Sequence, residues 1–135
     1  MNDLKRLALA AVLSGATALV LNICVILVSS GIFGASLMIR TSPAETAPMP
    51  VMNILPESFA ASAIAAVLLF AISRLTARPF VFFIPAVAAV TIVSLYGPMK
   101  DGSDTATRIA LSLTHINIAD SIIAFNLVFF RKRSR

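Results

Sequence analysis

The sequence predicts an all-α fold, a four-helix transmembrane bundle with up-and-down topology and both termini on the cytoplasmic side. Two observations carry that prediction. Only 13% of the 135 residues are charged and 59% are hydrophobic, whereas a soluble domain carries about 25% charged residues. The charges also gather in short clusters separated by long apolar runs. A helix needs roughly 20 apolar residues to cross the hydrocarbon core. Four crossings and their loops therefore occupy residues 1–135 as one membrane domain.

The first span is expected over 7–30, after the charged start Asp3-Leu4-Lys5-Arg6. A cleaved signal peptide has an apolar region of roughly 7–15 residues. This run is longer and no small-residue cleavage site follows, so a retained helix is expected. Within it Ala11, Ser14, Gly15 and Ala18 place small residues at three- and four-residue spacing, which lets a neighbouring helix approach closely. Cys24, the one cysteine, has no CxxC partner and reads as a small apolar side chain.

Residues 31–54 form the long outer loop. Pro43, Pro48 and Pro50 prevent a continuous helix there, since each removes a donor and biases its predecessor to extended geometry. The second span, 55–75, opens with Pro56 in its first turn and Glu57 at the positive end of the helix dipole. Ala60, Ala61, Ser62, Ala63, Ala65 and Ala66 make one half of it thin, as at a close-packed bundle centre. The third span, 79–96, contains Pro85, which frees a backbone carbonyl, and Gly97-Pro98 is expected to end it. The outer loop 97–104 leads to the fourth span, 105–130, with Ser103 or Asp104 as N-cap.

Lysine and arginine placement sets the orientation. Lys5, Arg6, Arg74, Arg78, Arg131, Lys132, Arg133 and Arg135 fall at the two ends and the second loop. The first and third loops hold Arg40, Lys100 and Arg108 against Glu45, Glu57, Asp101 and Asp104. The tail Arg131, Lys132, Arg133 and Arg135 follows an apolar helix directly, so the net charge of +5 reads as a topology signal and anionic-lipid contact. No basic groove with interleaved aromatics points to nucleic acid.

The fourth span carries the anomaly. Asp120 lies twelve residues past Arg108 and eleven before Arg131, near the bilayer midplane at about 1.5 Å per residue. An aspartate there costs roughly 2.5–3.5 kcal/mol on insertion scales. At 100° per residue Thr114, Asn117, Asp120 and Ser121 lie within about 120° of one another. Asn22, near the middle of the first span, matches Asp120 in depth and is its candidate partner. These five residues form a candidate polar site, either for a proton or cation or as hydrogen bonds that fix helix register.

His115 points elsewhere on the helix, with Ala119, Ile122 and Asn126. As the one histidine it is a candidate ligand for haem or a chlorophyll-type pigment, or a hydrogen-bonding partner of a neighbouring helix. Met49 and Met52 have MxxM spacing, and thioethers suit Cu(I), although membrane-surface anchoring explains them equally well. No P-loop, nucleophile elbow or zinc-binding histidine pair is present, so no enzyme and no bound cofactor is expected.

The embedded Asn22, the proline-bearing outer loop and the alanine-rich second helix carry a resemblance. Gly97-Pro98 and the pair Arg108 and His115, seven residues apart, extend it. With these features the chain resembles a family of uncharacterised bacterial four-span membrane proteins, a domain of unknown function. The resemblance implies an architecture and an inner-membrane location, and no activity. Three functions follow as expectations: a non-catalytic, self-associating or accessory subunit of a membrane complex; an oligomeric small transporter or channel centred on Asp120; and a cofactor-holding electron-transfer subunit using His115.

Overall fold

A computed structural model of the chain describes residues 3–130, with the backbone alone at residue 51. Its elements, in order, are helix α1 (Asp3–Gly31), strands β1 (Met38–Ser42) and β2 (Glu45–Pro48), a 3₁₀ turn (Val51–Asn53), and helices α2 (Ile54–Leu75), α3 (Pro79–Ser94), α4 (Tyr96–Asp101) and α5 (Thr105–Phe130). α1, α2, α5 and the run Pro79–Asp101 are long and apolar enough to cross a membrane. The molecule is a small multi-pass membrane protein with an all-α bundle.

α1 packs along α2 and α5. Its buried face holds Ala10, Ser14, Ala18, Asn22 and Ile26, residues four apart that lie on one side of a helix. Small side chains dominate that face, so neighbouring backbones come close. A Cβ added to Gly15 would stand 2.7 Å from the Phe59 ring. On α2 the thin half divides: Ser62, Ala65 and Ala66 are buried, while Ala60 and Ala63 are exposed.

α3 is the peripheral helix and buries only Phe83 and Val87 among its residues. These join Ala65 and Leu69 of α2 and Ala119 and Ile122 of α5 in an apolar core toward the end of the bundle where α1 starts and α5 ends. The Phe80 and Phe83 rings meet edge to face there, 6.3 Å apart.

The connections depart from the expected plan in two places. Residues 31–54 contain an antiparallel hairpin, in which Met38 pairs with Pro48, Ile39 with Ala47 and Arg40 with Thr46. Pro43 occupies its turn and Pro48 the end of a strand, where a missing donor costs least. Gly97-Pro98 does not end helical structure. The chain turns at Leu95 and re-enters a helix over Tyr96–Asp101, with Pro98 in the first turn, where its nitrogen needs no acceptor.

The hairpin is fastened to the start of α5. Ile39 forms a bridge with Gly102, and the Ser103 amide donates to the Met38 carbonyl at 3.1 Å. Leu37 takes a left-handed φ of 51°, uncommon for a residue with a Cβ. Its amide donates to Thr107 Oγ1 at 3.1 Å and its carbonyl accepts from Met49 at 2.8 Å, which holds that conformation from both sides.

Candidate functional site

Three sets of polar groups on the membrane-spanning helices bear on function. The first joins α1 to α5: Asn117 Nδ2 donates to Asn22 Oδ1 at 3.2 Å. Asn22 is fully buried, and its own Nδ2 has no partner among the described residues. The buried hydroxyls of Ser58 and Ser62 on α2 are likewise without one. Thr114 is satisfied locally through Leu111 O at 2.7 Å, whereas Asn126 donates its Nδ2 to Ile122 O at 2.8 Å while its buried Oδ1 has no partner among the described residues.

The second is Asp120. Thr114 and Ser121 are buried, Asn117 is half-buried and Asp120 is exposed. The arc of about 120° shared by these four residues thus runs from the interior of the bundle to its outer surface. Asn22, expected opposite Asp120 on grounds of depth, bonds Asn117 instead. Asp120 shares its exposed face with Leu113, Ile116, Ala124 and Val128. Leu113 also lines an apolar groove of about 600 Å³ between α1 and α5, along with Cys24, Val28 and Ile109.

The third set was not foreseen as a unit. His115 Nδ1 lies 2.8 Å from Leu111 O, so that nitrogen carries the proton and donates within its own helix. His115 and Glu57 both line two adjoining cavities. One, about 480 Å³, is an apolar cleft between α2, α3 and α5, bounded by Ala61, Ala65, Val87, Val90 and Ala119. The other, about 290 Å³, lies beneath the hairpin, with Met49, Asn53, Asp101 and Thr114 in its wall. His115 is ten residues into α5 while Glu57 is in the first turn of α2. Glu57 is itself three residues into α2, so α2 begins below the start of α5 by about two turns at 5.4 Å each. The alanines of α2 explain the cleft, because their side chains are too short to reach α3. As a first-turn acid Glu57 carried no sequence signal beyond the helix dipole.

Outside the spans, Asp104 caps α5. Its Oδ1 accepts the Thr107 amide at 2.8 Å, and its Oδ2 accepts the hydroxyls of Ser36, Thr107 (2.7 Å) and Ser103 (3.2 Å). The Ser36 hydroxyl, followed by the Thr107 amide and hydroxyl, holds this carboxyl well below the usual carboxylate range, since each of these bonds favours the charged form.

The methionine pair is divided between environments: Met49 lines the cavity under the hairpin, while Met52 is 82% exposed. Among the described residues no group of three His, Cys, Asp or Glu side chains is arranged to hold a metal. The expected anionic-lipid contacts at Arg131, Lys132, Arg133 and Arg135 lie outside the described residues.

Residues 2–128 match the model of a family of unknown function, DUF6069. No curated protein and no solved structure matches the chain.

Proposed function

The chain belongs to that family of unknown function, and from this premise we propose that it is a non-catalytic subunit that works by assembling with other membrane-embedded helices. The observation that carries this reading is the exposure of Asp120 halfway along α5. A carboxylate on the outside of a bundle faces hydrocarbon unless another protein covers it. Intramembrane acids are costly and pair with partners inside protein, and among the described residues no side chain bonds Asp120.

The docking face is the stripe Leu113, Ile116, Asp120 and Ala124, continuous at Leu113 with the groove between α1 and α5. Its partner is a second copy or another subunit presenting a polar or basic side chain at the same depth. A small transporter using Asp120 would require the same assembly, because one copy leaves this residue outside its own bundle. In the proposed setting the protein lies in a bacterial cytoplasmic membrane with both termini inside, as the lysine and arginine distribution favours. A pigment-holding role for His115 has less support: its Nδ1 donates within its own helix and leaves Nε2 free to ligate, but it is the one histidine, so a bis-histidine haem would need a second copy.

The test is native mass spectrometry of the protein gently extracted from its own membranes, with an absorbance spectrum of the same sample. A stoichiometric oligomer or partner that is lost with Asp120→Leu supports the proposal. A colourless monomer, or an assembly indifferent to that substitution, overturns it.

A further inference from the structure

The geometry points to a binding site for an amphipathic cation at the junction of the two cavities, with its apolar body in the cleft between α2, α3 and α5. This inference stands independently of assembly through Asp120, which lines neither cavity.

The two cavities differ in chemistry and meet at two residues. The cleft is walled almost wholly by aliphatic side chains, and the buried contacts of Leu69, Phe83 and Ile122 close it toward the end where α5 finishes. The smaller cavity presents the carboxylates of Glu57 and Asp101 with no lysine or arginine in its lining. Neither carboxylate has a hydrogen bond or ion pair among the described residues. The bases flanking Asp101 in sequence, Lys100 and Arg108, are engaged elsewhere. Lys100 Nζ sits over the Tyr96 ring at 5.8 Å, and Arg108 Nε donates to Gly102 O at 3.0 Å.

A ligand that fills both cavities thus has an apolar body and a positively charged head. The head meets Glu57 first and Asp101 beyond it, and His115 forms the boundary between the two. Glu57 is exposed and Asp101 half-buried; charge complementarity with these two carboxylates selects the cation over an anion of the same shape, and ligand sites are commonly apolar clefts with few convergent polar groups. An anionic or neutral lipid tail would fill the cleft but leave both carboxylates unanswered.

The experiment uses the full chain in lipid nanodiscs, with empty nanodiscs of the same lipid subtracted. Equilibrium dialysis measures binding of radiolabelled tetraphenylphosphonium and of its isosteric anion, tetraphenylborate. Saturable binding is expected for the cation alone. Glu57→Gln weakens it by roughly tenfold, the scale of one lost charge partner. Ala61→Phe fills the cleft and abolishes it. If that variant does not fold, Ala86→Leu fills the same cleft from the peripheral α3. Equal saturable binding of cation and anion, no saturable binding of either, or unchanged affinity in both Glu57→Gln and the cleft-filling variant overturns the proposal.

Discussion

Asn22 on α1 accepts a hydrogen bond from Asn117 on α5 at 3.2 Å, the one side-chain bond among the described residues that joins two membrane-spanning helices. Within a bilayer such bonds average about 0.6 kcal/mol by double-mutant cycles, with a maximum near 1.7. A cycle of Asn22→Ala and Asn117→Ala should yield a coupling in that range, measured by unfolding in mixed micelles. Asn22→Ala is expected to be the costlier single change, because that site is fully buried. A coupling indistinguishable from zero would mean that the contact does not hold the helices.

Gly15 gives a second test of the α1 seam. The Cβ of an alanine there would press on the Phe59 ring at 2.7 Å, and overpacking of this kind costs about 1–3 kcal/mol. Gly15→Leu should lower thermal stability more than Gly15→Ala, and Phe59→Ala should restore part of the loss. Wild-type melting of Gly15→Leu would show that the two helices do not approach as closely as described.

Most of the fold was legible in the sequence because a bilayer reads mainly length and apolarity. The second span was expected over 55–75 and is found over Ile54–Leu75, and the fourth over 105–130 is found at Thr105–Phe130. Rotation and depth were less accessible. With apolar residues on every face, a helix carries little signal for which side is buried. The five-residue polar set accordingly divided between the Asn22–Asn117 bond, the buried Thr114 and Ser121, and the exposed Asp120. The level of α2 depends on where the hairpin delivers the chain, through tertiary contacts at Ser36, Leu37 and Thr107 that no local pattern encodes. That level is what brings Glu57 to His115.

Asp104 predicts an acid-sensitive hairpin attachment. Its folded pKa is depressed, so its stabilising contribution is fully present above the unfolded value of about 3.9 and is lost as pH falls through the folded value. Hydrogen exchange at the Ser36 and Leu37 amides should be slow near neutrality and rise only below about pH 4. Asp104→Asn should raise exchange there at neutral pH and flatten the acid response. Slow exchange in that variant would mean that the hairpin is held without the carboxylate.

Sidedness is checked with a single reporter thiol. In a Cys24→Ala background, a cysteine at Ala44 lies at the exposed hairpin turn, and one at Ala77 lies in the exposed link between α2 and α3. A membrane-impermeant maleimide applied to intact cells should label Ala44→Cys and spare Ala77→Cys until the membrane is opened. The reverse pattern would place the termini outside.

The sharpest separation concerns Asp120. A residue that fixes register inside one copy contributes to the stability of that copy, so removing it should lower the melting temperature of the isolated monomer. An exposed carboxylate that serves assembly contributes nothing there, and in a detergent or lipid environment Asp120→Leu should leave the monomer as stable or raise it, by up to about 2.5–3.5 kcal/mol on insertion scales. The same substitution should abolish association, whereas Asp120→Asn, which keeps a hydrogen-bonding group at the interface, should retain part of it. Thermal unfolding of the monomer and the oligomer fraction in native mass spectra read the two effects separately. A destabilised monomer with intact association would assign Asp120 to the interior of its own bundle and refute docking through this face.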